Sequence, residues 1–302
     1  MKKITLLLAL IVVTLSFNVI QSCKSAGSAS STKMLKFNLE KGKGYDYEIV
    51  WDINQTIMGK AAEISIGADY SIRVEEDKDH IKTLSNTYKS FRMNMNMMGV
   101  KIDVDTDKPA PATEDSPGGI PTGMMNKIFS GIVGKTFTMK VDEEGKVLEV
   151  SGFTEMLQSM SDSMGMSDEM KQKMSASLKD QFNEQTVKDQ FAQVFTIFPN
   201  KEIKVGDTWD KNFSMGGKMP AKYATTYTVK EIEGDHVTVS TKTKIEGTGE
   251  MSISGDQTGT IIIDSKTGLM VNGDYNQDIQ AKVQGMSFDM TGKGKIKGKA
   301  VN

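Results

Sequence analysis

The chain has 302 residues, with 37 Lys and Arg against 39 Asp and Glu, for a formal charge of −2. That balance leaves no electrostatic footprint for nucleic acid. One cysteine excludes an internal disulfide, and two histidines leave little of the usual general base near neutral pH.

The N-terminus, MKKITLLLALIVVTLSFNVIQSC, opens with Lys2 and Lys3 and runs apolar from Ile4 to Ile20. This is a secretory pattern. Ile20-Gln21-Ser22-Cys23 resembles the lipobox of bacterial lipoproteins, although Ile20 and Gln21 are not that family's commonest residues. The resemblance implies a signal peptide over 1–22 and acyl groups on Cys23. Several chains on one residue anchor firmly, whereas one alone is marginal. Lys24 in place of Asp implies, by the same analogy, outer-membrane rather than inner-membrane residence. Residues 23–34 include KSAGSASST, a small, polar stretch that reads as a flexible tether. Removing 1–22 takes away two lysines, so the mature chain carries about −4.

Residues 35–152 read as a first β-rich half. YDYEIVWDINQTI, EISIGADYSIRVEE, HIKTLSNTYKSF and RMNMNMMGVKIDV alternate apolar and polar residues, as successive antiparallel strands do. DKPAPATEDSPGGIP (107–121) holds four of the six prolines and is a loop. TGMMNKIFSGIV then spaces apolar residues for a short helix, and TFTMKVDEEGKVLEV for a hairpin turning at Glu143-Glu144-Gly145. Residues 153–200 change period to a helical one, with breaks at Gly165 and Asn183-Glu184-Gln185. Alternation returns over 201–302. The fold class is therefore mainly β (α+β): antiparallel sheets from two halves, with a helical middle segment covering one face.

The halves align. Gly44-Tyr45-Asp46-Tyr47 matches Gly206-Asp207-Thr208-Trp209, YSIRVEEDKDHI matches YTVKEIEGDHV, and KVDEEGKV matches IIDSKTGLM. This alignment pairs His80 with His236 and reads as an internal duplication. FPNKEIKVGDTW (198–209), with the lipobox and FTMKVDEEGKVLEVSGF, resembles an uncharacterised family of Bacteroidota envelope lipoproteins. That resemblance implies an address and a β-rich fold, and no catalytic residues. Envelope lipoproteins of the LolA/LolB type, whose half-barrels hold acyl chains, are a further analogy of fold only.

Few residues carry chemistry. His80 and His236 follow acidic residues in turns and read as solvated hairpin positions. GIVGKT lacks the first glycine of a phosphate loop, Phe129 standing there, and a strand follows where a helix is needed. Asp103, Asp105, Asp107 and Glu114 have calcium-loop spacing and are weak metal candidates. Lys108 replaces the turn glycine, and Pro109 and Pro111 stiffen the loop. Asp162-Ser163-Met164 resembles an O-glycosylation acceptor triplet. Lys293, Lys295, Lys297 and Lys299 share one strand face, either to touch anionic lipid or glycan or to guard an edge strand.

Methionine is the compositional excess, at 22 residues. Met93, Met95 and Met97 alternate with Asn94 and Asn96, which puts three thioethers on one strand face. Met160 and Met164, then Met166, Met170 and Met174, form rows at helical spacing. Thioethers suit Cu or Ag, yet no His or Cys is interleaved, and the same spacing writes an apolar core or groove. The expectation is a lipid-anchored, non-enzymatic binding or structural module without cofactors. One alternative is a carrier of a lipid or other apolar ligand in a cavity lined by Met93, Met95, Met97, Met160, Met164 and Met170. Soft-metal buffering is another. The expected partners are the membrane, through the acyl groups, and an apolar ligand or envelope protein, with no nucleic acid.

Overall fold

The computed structural model describes residues 32–57, 59–97, 100–109, 122–162, 184–215, 220–248, 252–283 and 286–301, with 169, 172 and 176 placed singly. Cys23, Glu114, Ser163, Met164, Met166, Met170 and Met174 lie outside this set, and of Met160 only the backbone is described.

In chain order the strands of the first half are β1 (Lys33–Leu35), β2 (Gly44–Ile57), β3 (Lys60–Lys78), β4 (Ile81–Met97) and β5 (Val100–Asp105). Helix α1 (Thr122–Ser130), the hairpin β6 (Thr136–Asp142) and β7 (Val147–Ser151), and the helices α2 (Phe153–Asp162) and α3 (Glu184–Phe195) follow. The second half contains β8 (Lys201–Ile203), β9 (Thr208–Met215), β10 (Ala221–Glu233), β11 (His236–Gly247), β12 (Ser252–Asp264), β13 (Met270–Val283) and β14 (Met286–Val301).

Among the described residues, twelve strands form one antiparallel sheet in the order β7-β6-β4-β3-β2-β14-β13-β12-β11-β10-β9, with β5 also on β4. The ladder between β2 and β14 makes the two halves one sheet, and β1 pairs with β8 beside it. Period-two patterning decides the faces. Inward residues such as Tyr45, Trp51, Tyr70, Ile72, Val229, Val239 and Ile261 are buried. The sheet curls until α3 touches both edge strands, β7 and β9. Phe191 of α3 stacks at 6.5 Å from Tyr70 and lies 5.8 Å from Phe137, so this helix packs on the inner face.

Three expectations change. Two segments read as separate strands, HIKTLSNTYKSF and the start of RMNMNMMGVKIDV, join from Ile81 to Met97 in one strand, β4. Tyr88 pairs with Tyr70 and Ser90 with Asp69, so Lys89 is an extra residue. This bulge turns the inward face from even-numbered to odd-numbered positions, which in the sequence looks like a break. Secondly, β14 lies in the middle of the sheet, between β13 and β2, so its lysine row guards no edge.

Thirdly, the alignment of the halves shifts. Gly42 rather than Gly44 shares the geometry of Gly206: Gly42 N–H donates to Val74 O and Gly206 N–H to Val229 O, each at 2.9 Å. Next to these, Glu75 and Lys230 are bulged residues at corresponding places. The hairpins then close on Lys78 opposite Ile81 and Glu233 opposite His236. His236 therefore corresponds to Ile81, and Asp235 to His80. The third aligned pair corresponds with one residue more in the second turn: Asp142 and Asp264 each cap a turn through Oδ1, and Leu148 and Val271 are each bulged after it.

Candidate functional site

The inner face of the curled sheet carries the apolar surface from which a site can be built. Across it, large rings stand beside glycines. Trp51 lies opposite Gly294, and a Cβ on Gly259 would come within 2.7 Å of the Tyr275 ring. A strongly curved sheet crowds its concave side, and glycine is what lets the rings lie flat there. Trp209 stacks on Tyr227 at 5.2 Å, and its Nε1–H donates to Ile197 O at 2.8 Å. The Tyr70 hydroxyl donates to Asn86 Oδ1 at 2.7 Å, and Asn86 Nδ2 passes a bond to Leu84 O. Burial raises the pKa of Tyr45 to about 12, with the Thr267 hydroxyl lowering it and the Asp264 carboxylate adding to the rise.

Met93 and Met95 are buried on this face and Met97 half-buried, as Met/Asn alternation implies. Their cross-strand neighbours are Ile66 and Val104 for Met93, and Ile64 and Ile102 for Met95. Hydrocarbon flanks these thioethers on both neighbouring strands, and among the described residues no cluster of His, Cys, Asp or Glu stands beside them. Two separate apolar clusters result. The larger includes Met93 and Met95, and the smaller comprises Met215, Ala221, Tyr223, Ile245, Ile253 and Ile279, with Met290 packed on it. Gln55, on the inward face of β2 between Met290 and Ala62, is missed by sequence patterning because it reads as one polar residue in a strand tail. It is 4% exposed, and among the described residues its Nε2 has no hydrogen-bond partner.

The outer face is polar. A shallow groove of about 440 Å³ crosses it, lined by Asp46, Glu48, Asp69, Lys89, Lys297 and Lys299 among others. Arg92 holds both oxygens of Asp69, at 2.9 and 3.1 Å. That guanidinium keeps the Asp69 carboxyl below the usual range against the opposing effect of burial, with Ser90 helping. For Asp46, burial pulls upward but Lys89, Ser71 and Arg73 together hold the pKa low. Both acids are thus fixed as anions near neutral pH and are poorly suited to proton transfer.

Asp103 and Asp105 lie on β5, where Asp105 pairs with Lys108 at 2.6 Å, and Asp107 bonds Arg92 at 3.2 Å. Among the described residues, no three His, Cys, Asp or Glu side chains converge to hold a metal ion. His80 bonds Glu143 at 2.9 Å across two exposed turns, and that carboxylate raises its pKa.

The fold and its faces define an open β-cup, apolar inside and polar outside. Residues 79–270 match the model of a family of unknown function (DUF6263), and the chain belongs to that family. No curated protein matches the sequence. Among solved structures, one of lipovitellin, described for its lipid–protein interactions, is similar at TM-score 0.51 and 10% identity, over 87% of this chain and 26% of that one. This chain thus spans about a quarter of the lipovitellin chain, and the likeness is one of fold. The translocator domain of the autotransporter NalP from Neisseria meningitidis matches at TM-score 0.31 and 6% identity, over 85% of this chain and 88% of that one. OpdQ from Pseudomonas aeruginosa matches at TM-score 0.26 and 7% identity, over 87% and 100%.

Proposed function

We propose that this chain is a lipid-anchored protein of the bacterial envelope, held at the outer membrane by acyl groups on Cys23, that binds an apolar ligand without catalysis. The observation that carries the reading is the contrast between the faces of the curled sheet. Its inner face is aromatic, aliphatic and methionine-rich, whereas its outward residues on β2 include Asp46, Glu48, Asp52 and Asn54. Strands that face lipid put apolar residues outward, so this polarity favours a cup that holds an apolar guest over a membrane-spanning barrel. Flexible thioethers suit an inner wall that must fit chains of varied shape. The lipovitellin likeness is consistent with such a cup and adds no ligand of its own. The shared turns and bulges support reading the two halves as copies of one ancestral unit.

The test is native mass spectrometry of the full chain extracted gently from membranes. The expected result is a bound lipid or other apolar molecule that leaves on delipidation. A clean spectrum from several mild extractions would overturn the carrier reading.

A further inference from the structure

Hairpin topology gives the sheet two unlike ends. The connections into β4, β7, β11 and β13 lie at one end, the base, and those into β3, β5 and β14 at the other. The N-terminal segment joins the fold at the base. Lys33 Nζ lies 3.1 Å from Asp235, in the turn between β10 and β11. The β1–β8 ladder sets Lys33 opposite Ile203, two residues before Val205. The interior at this end is filled: Leu35, Phe37, Leu39, Phe195 and Phe198 are each at most 2% exposed. Exposed apolar side chains gather here as well. Among the described residues the exposed large hydrophobics are Met34, Leu148, Val194 and Val205. Met34 is on β1, and Leu148 is the bulged residue after the turn at Gly145. Val194 precedes Phe195, whose carbonyl crowds that same glycine. Val205, at 58%, tips a turn in which Asp207 N–H donates to Lys204 O at 3.1 Å. The turn does not require an apolar tip, since the equivalent turn at Gly42 puts Lys41 there. A lone exposed hydrophobic is ordinary, but a gathering of them at one end marks a contact surface.

Resting on the lipid anchor proposed at Cys23, we infer that the base is a membrane-docking face. Met34, Leu148, Val194 and Val205 settle into the interface of the bilayer that holds the acyl groups, and the opposite end of the cup points away from it. The sequence between Cys23 and Lys33 limits the alternatives. A small, polar stretch of that length spans about 17 Å on average and about 35 Å at full stretch. The far end of β10 lies roughly 40 Å along the strand from the turn at Asp235, so docking by the opposite end would need that stretch nearly taut. The same length keeps a bilayer always within reach of the base, which favours lipid over a protein partner for these side chains. Partial burial of a few side chains orients the protein without holding it, so the acyl groups remain the anchor. An apolar guest would then exchange on the aqueous side, not from the anchoring bilayer.

Cys23 is the only cysteine and acylation consumes it, so one introduced cysteine gives a unique labelling site. The experiment uses the full acylated chain on vesicles of phosphatidylethanolamine and phosphatidylglycerol. An environment-sensitive fluorophore is placed on Val205→Cys or Leu148→Cys at the base, and on Lys60→Cys or Ser287→Cys, exposed positions at the other end. The expected result is blue-shifted emission at the two base positions, quenched by lipid carrying a headgroup nitroxide. The other two positions should give water-like emission, quenched by aqueous iodide. Met34→Asp, Val194→Asp and Val205→Asp together should abolish the shift at position 148, with flotation and the circular dichroism spectrum unchanged. Water-like emission at all positions in protein that floats with the vesicles overturns the inference and leaves the anchor standing. Lipid quenching at positions 60 and 287, or a shift at 148 that survives the three aspartates, overturns it as well. Protein that fails to float refutes the anchor, and the inference falls with it.

Discussion

Gly42 and Gly206 occupy equivalent turns, each donating to a valine carbonyl of the neighbouring strand at 2.9 Å and each with positive φ, 79° and 91°. Among the described residues, no atom beyond the glycine and its chain neighbours lies within 4 Å of where a Cβ would sit on either. An alanine there would cost only the left-handed backbone, about 1–2 kcal/mol. Gly145 and Gly268 also have positive φ, but a Cβ would lie 1.9 Å from Phe195 O and 2.2 Å from Lys36 O. Alanine at those positions must also displace backbone. Urea denaturation should rank Gly42→Ala and Gly206→Ala as a mild, matched pair, with Gly145→Ala and Gly268→Ala clearly worse. Equal costs across all four would contradict the close approaches.

The methionine face makes a second demand. Met93 and Met95 are 3% and 6% exposed, while Asn94 and Asn96 face out. Met93→Ala and Met95→Ala should each lose about 2–4 kcal/mol in equilibrium unfolding, the range for buried methionine truncation. Asn94→Ala and Asn96→Ala should stay within about 0.5 kcal/mol. A matched loss at the asparagines would place the face the other way round.

Much of this was legible in the sequence, and the failures have physical causes. Strand alternation, the turns at Gly145 and Gly268, and the helical change of period after Phe153 follow from local sequence, which reports local backbone preference directly. The join inside β4 was hidden because Lys89 reverses the face mid-strand, and a reversed pattern is indistinguishable from a new strand. The central place of β14 was also hidden. Alternating lysines are equally compatible with an edge strand and with a central strand open to water on one side, and only long-range pairing separates the two. The His80–His236 match misled by one position because a repeated Asp-His dipeptide outweighed the ladder register. Gln55 left no signal at all, since an unsatisfied amide is a property of the packed interior.

Acid should weaken the outer face in a defined window. Arg92 lowers the pKa of Asp69 in the folded chain, below its unfolded value near 3.9. A depressed carboxylate contributes stability that is fully present above the unfolded pKa and is lost as pH falls through the folded one. The pair is about a third exposed, so solvent screening leaves its worth at about 1 kcal/mol. Asp46 titrates in the same direction, burial opposing and Lys89 prevailing. Arg92→Ala should therefore destabilise at pH 7 and by progressively less below about pH 4, where the wild-type pair is itself being lost. A variant whose deficit stays constant down to pH 2 would show that Arg92 acts by packing rather than by charge.

Membrane attachment can be tested apart from ligand binding. The outward residues of β14 include Ser287, Asp289, Thr291 and four lysines, and those of β2 are mostly acids and amides, so among the described residues these two central strands offer no apolar band to a bilayer. Among the described residues, no helix is long and apolar enough to cross one either. On the proposed reading, attachment then rests on the acyl groups of Cys23, and the folded sheet contributes little. Cys23→Ala should move the protein from the membrane pellet to the soluble fraction, with an unchanged circular dichroism spectrum and unfolding midpoint. The anchor lies outside the sheet, so its loss should also leave acyl-probe affinity intact. A Cys23→Ala protein that still sediments with membranes after a high-salt wash would refute the lipoprotein reading. If the wash released it, the lysine row on β14 would be the place to look for an electrostatic contact, and charge reversal at Lys295 and Lys299 should then abolish the residual binding.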